Sequence, residues 1–162
     1  MKKIAIFILV SILVSCASTK YVDDVIEEAA WNTLDVLENV SDKTLAVYYF
    51  TSNDEDDDLS EYVRHGLTTE IANAIHDEDL DIKVISRQQL DQIMEEQSFQ
   101  LADLVDEGTQ VEIGELLGAD LILAGQLDWV SDDTCHLNAQ VIEVETGVVL
   151  GGYVYDFWVE TE

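Results

Sequence analysis

The chain has 162 residues, 48% of them hydrophobic, with seven basic against 35 acidic side chains and a formal charge of -28. A surface of that sign repels phosphate backbones and anionic head groups, which excludes nucleic acid as a partner and excludes membrane attachment through a basic patch. Disordered chains can carry similar charge, but the apolar content and clear periodic segments place this one among chains that fold.

Lys2 and Lys3 open the chain, and residues 4–14 are apolar except for Ser11. That is the charged n-region and apolar h-region of an export signal. As a helix the apolar run rises only about 16 Å against a bilayer core of about 30 Å, so it is expected to be cut off rather than to span. Leu13-Val14-Ser15-Cys16 then resembles the lipobox of bacterial lipoproteins, in which cleavage leaves the cysteine as the acylated first residue. The resemblance implies a signal peptide over residues 1–15 and a lipidated Cys16 carrying more than one acyl chain. The alternative is an ordinary secretory peptide with a chance cysteine. With Cys16 acylated, Cys135 is the remaining thiol, so no intramolecular disulfide is available. Cys135 alternates with Leu137, Ala139 and Val141, which predicts a buried, inert thiol; pairing between chains is the other reading.

After cleavage 147 residues remain, enough for one hydrophobic core and too few for two, with five basic residues against 35 acidic ones. Residues 17–20 form a tether of about 13 Å when fully extended. A single domain is expected over residues 21–162. It opens with an amphipathic helix over residues 21–40, in which Val22, Ile26, Ala29, Thr33, Val36 and Val40 recur at helical spacing. The stripe lasts fewer than three heptads, which favours packing on its own domain over a coiled-coil seam.

Residues 45–50 are apolar on both faces, as in a central strand covered on both sides. The acidic run 53–58 leads into a helix starting near Asp58, whose positive end the acids suit, with Leu59, Val63, Leu67, Ile71 and Ala74 on one face. Residues 82–85 read as a short strand. Ser86 with Gln89 makes a capping box, followed by Leu90, Ile93 and Met94 on a third helix. Thr109 with Glu112 repeats that box for a fourth, short helix ending at Gly118. Three strands complete the chain, over residues 119–127, 134–144 and 148–158, the last two joined by a turn at Glu145-Thr146-Gly147. The fold class is therefore α/β (α+β), a single domain with a mixed β-sheet flanked by helices.

Several groups occur in a fixed order: Arg87-Gln88-Gln89-Leu90-Asp91-Gln92-Ile93, Glu95-Glu96-Gln97, Ile113-Gly114, Leu117-Gly118-Ala119-Asp120, Gly125 and Val144-Glu145-Thr146-Gly147. The ordered set resembles the CsgG-type envelope lipoprotein family, which takes in FlgO-like proteins and LpoB-like activators of penicillin-binding proteins. The resemblance covers residues 45–158 and the lipobox. It implies a CsgG/TolB N-terminal-like fold in a non-enzymatic, periplasm-facing domain, lipid-anchored to the outer membrane and working through protein partners or self-association. Ala17 and Ser18, with no Asp at the sorting position, are compatible with that destination.

Two departures narrow what is implied. Pore-forming members add amphipathic hairpins of about 9 to 11 residues per strand, and the loops here leave no room for two of them. The final strand pair is long enough for one, but Glu143, Glu145 and Asp156 argue against a lipid-facing surface. Synthase activators resemble proteins with long flexible tethers, whereas a freestanding first helix here would add only about 30 Å.

No catalytic constellation emerges, and no cofactor, metal or small-molecule substrate is expected. His65, His76 and His136 lack metal-ligand spacing, and there is no phosphate-binding or nucleophile-elbow motif. Carboxylate pairs are too common to single one out. Residues 54–58 lack the glycine and spaced ligands of a calcium loop, so a solvated loop is favoured over a cation site. The candidate partner contacts are Arg87, Tyr153 and Tyr155. Arg87 stands at a helix start, where a cation is disfavoured, and an ion pair with a nearby carboxylate is the plainer account. The run Tyr153, Val154, Tyr155, Phe157 and Trp158 is either core plus edge or an exposed edge open to strand addition.

Overall fold

The computed structural model describes residues 20–53, 58–85, 115 and 117–159. Its elements are α1 (Val22–Leu37), β1 (Lys43–Ser52), α2 (Asp58–Asp77), β2 (Ile82–Val84), β3 (Leu121–Ser131), β4 (Thr134–Glu143) and β5 (Val148–Trp158). The strands make one five-stranded sheet in the order β2-β1-β3-β4-β5. β1 runs parallel to both of its neighbours, while β3, β4 and β5 form an antiparallel meander. This is the mixed sheet that the sequence predicts. The helices expected after Ser86 and after Thr109 lie outside the described residues, apart from the end of the second. There Gly118 takes a φ of 65° and its N–H bonds to Glu115 O at 3.1 Å, as a helix-ending glycine does.

Both described helices cover one face of the sheet, α2 over β1 and β2, α1 over β5, and the two against each other. Leu45, Val47, Phe50, Leu123, Leu127, Leu137, Val141 and Phe157 form the core beneath them. Ala46, Tyr48, Ile122, Ala124 and Ile142 are buried as well, on the opposite face. Burial of both faces explains why β1 reads as a continuous apolar run. β4, apart from Ile142 at its end, and the later part of β5 have one face more exposed and alternate instead.

α1 ends at Leu37 rather than at residue 40. The chain leaves the helix through a bond from Val40 N–H to Leu37 O at 2.9 Å and then takes a left-handed φ of 52° at Asp42 to enter β1. The buried stripe of α1 is also wider than expected. Val25, Ile26, Ala29, Ala30, Thr33, Leu34 and Leu37 are buried, and the predicted Val22, Val36 and Val40 are partly buried at its margins. A helix that touches both a sheet and a second helix needs an arc wider than one residue per turn. Gly66 on α2 permits that second contact, because a Cβ there would stand 2.7 Å from Ile26 Cδ1.

β3 starts at Leu121, two residues later than expected, because Asp120 works as a clasp. Its carboxylate accepts the Thr44 N–H at 2.8 Å, its own N–H bonds to Thr44 O at 2.9 Å, and its carbonyl accepts the Val144 N–H at 2.9 Å. One residue thus ties the starts of β1 and β3 to the end of β4. Asn53 closes the other end, giving and taking bonds with the Trp129 backbone at 3.2 and 2.8 Å beside the irregularity in β3. Gly125 is fixed by space: a Cβ there would lie 2.2 Å from Asn138 O and 2.7 Å from the Phe50 ring.

Gly125→Ala is expected to lower stability by about 3 kcal/mol, because backbone rather than a flexible side chain must yield. Asp120→Ala is expected to cost about 1 kcal/mol through the part-buried Thr44 N–H left without its acceptor. Urea unfolding midpoints of the two variants check both values.

Candidate partner-binding surface

Cys16 and Arg87 lie outside the described residues. Tyr153 and Tyr155 are on β5, and both rings point inward beneath α1. Asn32 Nδ2 donates to the Tyr155 hydroxyl, and Tyr155 is only 8% exposed. The Tyr153 hydroxyl lies 3.1 Å from Thr33 Oγ1, whose own proton goes to Ala29 O at 2.8 Å, so Tyr153 must be the donor. The Lys20 ammonium sits 4.8 Å above the Tyr155 ring. Burial pushes the Tyr153 phenol above its ordinary value; burial and the nearby Glu28 carboxylate do the same to Tyr155. These tyrosines join α1 to the sheet and are not on a face open to a partner. Asp156, standing between Tyr155 and Phe157, was the sequence signal for which face meets solvent.

The open side of the same strand carries Gly152, Val154, Asp156 and Trp158, with Val154 57% exposed. Beside them on β4 stand Gln140, Asn138 and His136, in direct register. His136 Nδ1 contacts Asp156 Oδ1 at 2.7 Å, and Asp128 is the other neighbour of His136. The far end of β5 is apolar. Ile142 pairs with Val149 and Val141 with Gly151, so Leu150 is the unpaired residue of a bulge, and Val148, Val149 and Leu150 are all exposed. The turn before them is fixed by Gly147, with a φ of 67° and an N–H bond to Glu143 O at 2.8 Å.

β5 is also an edge. The Trp158 N–H points away from β4 and bonds to Lys20 O at 2.8 Å. Backbone groups alternate along a strand, so the N–H and C=O of Asp156 and Val154 point outward too. Among the described residues only the Tyr21 bridge at Trp158 pairs with this edge. A concavity of about 590 Å³ lies between α1 and α2 and is lined by Asp23, Ile26, Glu27, Tyr62, Gly66 and Glu70. In it the Tyr62 hydroxyl donates to Asp23 Oδ1 at 2.7 Å, which with the negative charge of Asp23 raises the Tyr62 phenol above its ordinary value.

Cys135 is fully buried on the inner face of β4. Among the described residues no group of three His, Cys, Asp or Glu side chains is placed to hold a metal ion. Arg64, not among the candidate residues above, is a buried cation on α2 at 2% exposure. Helical spacing places it beside Val63 and Leu67 on the inner side, and the charge alone does not reveal that.

Residues 20–128 match the family described as the curli production assembly/transport component CsgG. The chain belongs to the CsgG family. Membership puts it among proteins of the cell envelope. The fold is similar to the LpoB C-terminal domain from Escherichia coli, at 15% identity and a TM-score of 0.63, over 86% of this chain and 98% of that one. It is also similar to the lipoprotein GNA1162 from Neisseria meningitidis, at 12% identity and a TM-score of 0.52, over 72% and 81% of the two chains. Against the curated proteins no sequence match is found.

The buried phenols make stability sensitive to alkali. The folded state holds Tyr153 and Tyr155 protonated above the ordinary value of 10.0, so their contribution is complete below pH 10 and is lost as pH rises from there toward the raised folded values. Each tyrosine should add a slope of about 1.4 kcal/mol per pH unit in that window. Tyr153→Phe is expected to flatten the fall above pH 10, measured by denaturant unfolding across a pH series.

Proposed function

We propose that this CsgG-family chain is a non-enzymatic lipoprotein, anchored to the outer membrane through Cys16 and facing the periplasm, that serves as a protein-binding scaffold in envelope assembly or secretion. The observation that carries the reading is the outer edge of β5, which the described residues pair only at Trp158 and which is bordered by exposed Val148, Val149 and Leu150. An open edge offers a row of backbone donors and acceptors, and an extended segment of another protein can add to it as a further strand. The occupant that fits is cationic. With 35 acidic residues against seven basic ones, the chain attracts a Lys- or Arg-bearing strand and repels a second copy of itself.

Val154→Pro tests this edge. The Val154 N–H points away from β4, so proline removes an outward donor without breaking the β4 ladder, a position where edge strands tolerate it. An extended peptide alternating valine and lysine is expected to bind the non-acylated chain, more weakly as salt rises. Val154→Pro should weaken that binding at least tenfold while the unfolding midpoint stays nearly unchanged. Equal binding by the variant, measured by fluorescence anisotropy, would remove the edge from the mechanism.

A second reading is an LpoB-like activator of peptidoglycan synthases, favoured by the fold likeness that spans nearly the whole LpoB domain. The short tether of residues 17–20 counts against it, because the domain stays near its membrane. Glycan polymerisation by a purified penicillin-binding protein, with and without the chain, separates the two. Acceleration would replace the scaffold by the activator.

A further inference from the structure

The end of the sheet at which the chain enters the domain is built differently from the end that carries the Val148–Leu150 edge. Lys20 and Tyr21 are pinned to the last residue of β5 by the Trp158 N–H bond to Lys20 O at 2.8 Å and the parallel bridge between Tyr21 and Trp158. The Lys20 ammonium pairs with Glu28, and the Tyr21 N–H bonds to Asp24 Oδ2 at 3.2 Å. The Val159 N–H reaches Asp133 O at 3.0 Å, which fastens the same end to the hairpin joining β3 and β4. Large apolar side chains stand open to solvent at this end: the paired Tyr21 and Trp158 at 48% and 46% exposure, and, two strands across on β3, Val130 at 67%. A folded domain gains nothing from exposing two aromatic rings at its own chain entry unless something else covers them.

We propose that this end is a membrane-contact surface, on which Tyr21, Trp158 and Val130 lie against the head-group layer of the bilayer that holds the chain's own lipid. The inference rests on the lipoprotein reading of Cys16. Only residues 17–20 separate that cysteine from the pinned Tyr21, and fully extended they reach about 13 Å. A lipidated Cys16 sits at the bilayer surface, so the Lys20 end cannot move away from it by more than that. Tyr and Trp combine an apolar body with a polar tip and gather at membrane interfaces for that reason. Asp132, Asp133 and Asp156 border the patch and repel anionic lipid, so the matching surface is one of zwitterionic head groups. β5 is 11 residues long, about 35 Å when extended, so a contact at its Trp158 end would leave the Val148–Leu150 end about that far along the strand from the bilayer contact.

The chain's three tryptophans allow a direct test with the acylated full chain in phosphatidylcholine vesicles brominated near the acyl-chain carbonyls. Trp31, exposed on the outer side of α1, is the internal control. Bromolipid is expected to quench the wild-type emission, Trp31→Phe should keep that quenching, and Trp158→Phe should lose most of it. Tyr21→Ser, which leaves every tryptophan in place, should reduce the quenching without releasing the chain from the vesicles. Quenching that survives Trp158→Phe, or no quenching in a chain that floats with the vesicles, would overturn the contact surface and leave the lipoprotein reading standing. A wild-type chain that does not float, and floats no better than Cys16→Ala, would overturn both.

Discussion

The polar seam between α1 and β5 sets the direction in which the first helix crosses the sheet, and much of the molecule follows from it. Asn32 meets Tyr155, Thr33 meets Tyr153, and Val36 lies over Gly151, so the helix runs antiparallel to the strand. Each phenol left buried without a partner would cost about 1 to 3 kcal/mol, so any slip of α1 along β5 is penalised twice. Gly151 supports the same register, because a Cβ there would stand 2.6 Å from Val36 Cγ2. Once this crossing is fixed, the start of α1 must lie at the end of β5. That is where Lys20 and Tyr21 meet Trp158.

The same seam divides β5 into two faces with different work. Its inner face is closed by α1, its outer-face residues Gly152, Val154, Asp156 and Trp158 are exposed, and among the described residues its outer edge is paired only at Trp158. The bulge at Leu150 turns three successive aliphatic residues outward where simple alternation would have buried one of them. Edge strands are usually blunted by charge, proline or covering segments. Here Asp156 blunts one stretch and Lys20 with Tyr21 covers another, and among the described residues nothing pairs with the stretch around Val154 or the Val148–Leu150 end.

Much of this architecture was legible from the residues because burial leaves a period in the sequence. β1 is apolar throughout since the sheet is buried on both faces there, and β4 and the later part of β5 alternate since one face is more exposed. The bounds of β5 and the start of α2 at Asp58 follow directly from that patterning and the preceding charge run. Sequence reasoning did less well where one residue serves two elements. Asp120 looks like one more acid in an acidic chain, yet it ties β1, β3 and β4 together. Tyr153 and Tyr155 looked suited to a docking edge because aromatic residues on a terminal strand fit either role. Their inward placement depends on a helix more than a hundred residues earlier, and no local pattern carries that information.

The large negative charge acquires a direction once the strand has a fixed orientation. If the proposed anchor at Cys16 holds the domain near a bilayer, its charge pushes it away from anionic lipid, and over distances beyond about 8 Å salt screens that push. Close approach would then fall to uncharged groups at that end, among them the exposed Tyr21, Trp158 and Val130. At the opposite end the same charge acts on what arrives rather than on what anchors. It speeds the approach of a cationic segment and slows that of another acidic chain, while the backbone groups of the β5 edge supply the directional bonding that charge lacks. The proposed attachment and the proposed recognition would thus fall at the two ends of one strand, whose place against α1 is fixed by the Asn32–Tyr155 and Thr33–Tyr153 contacts.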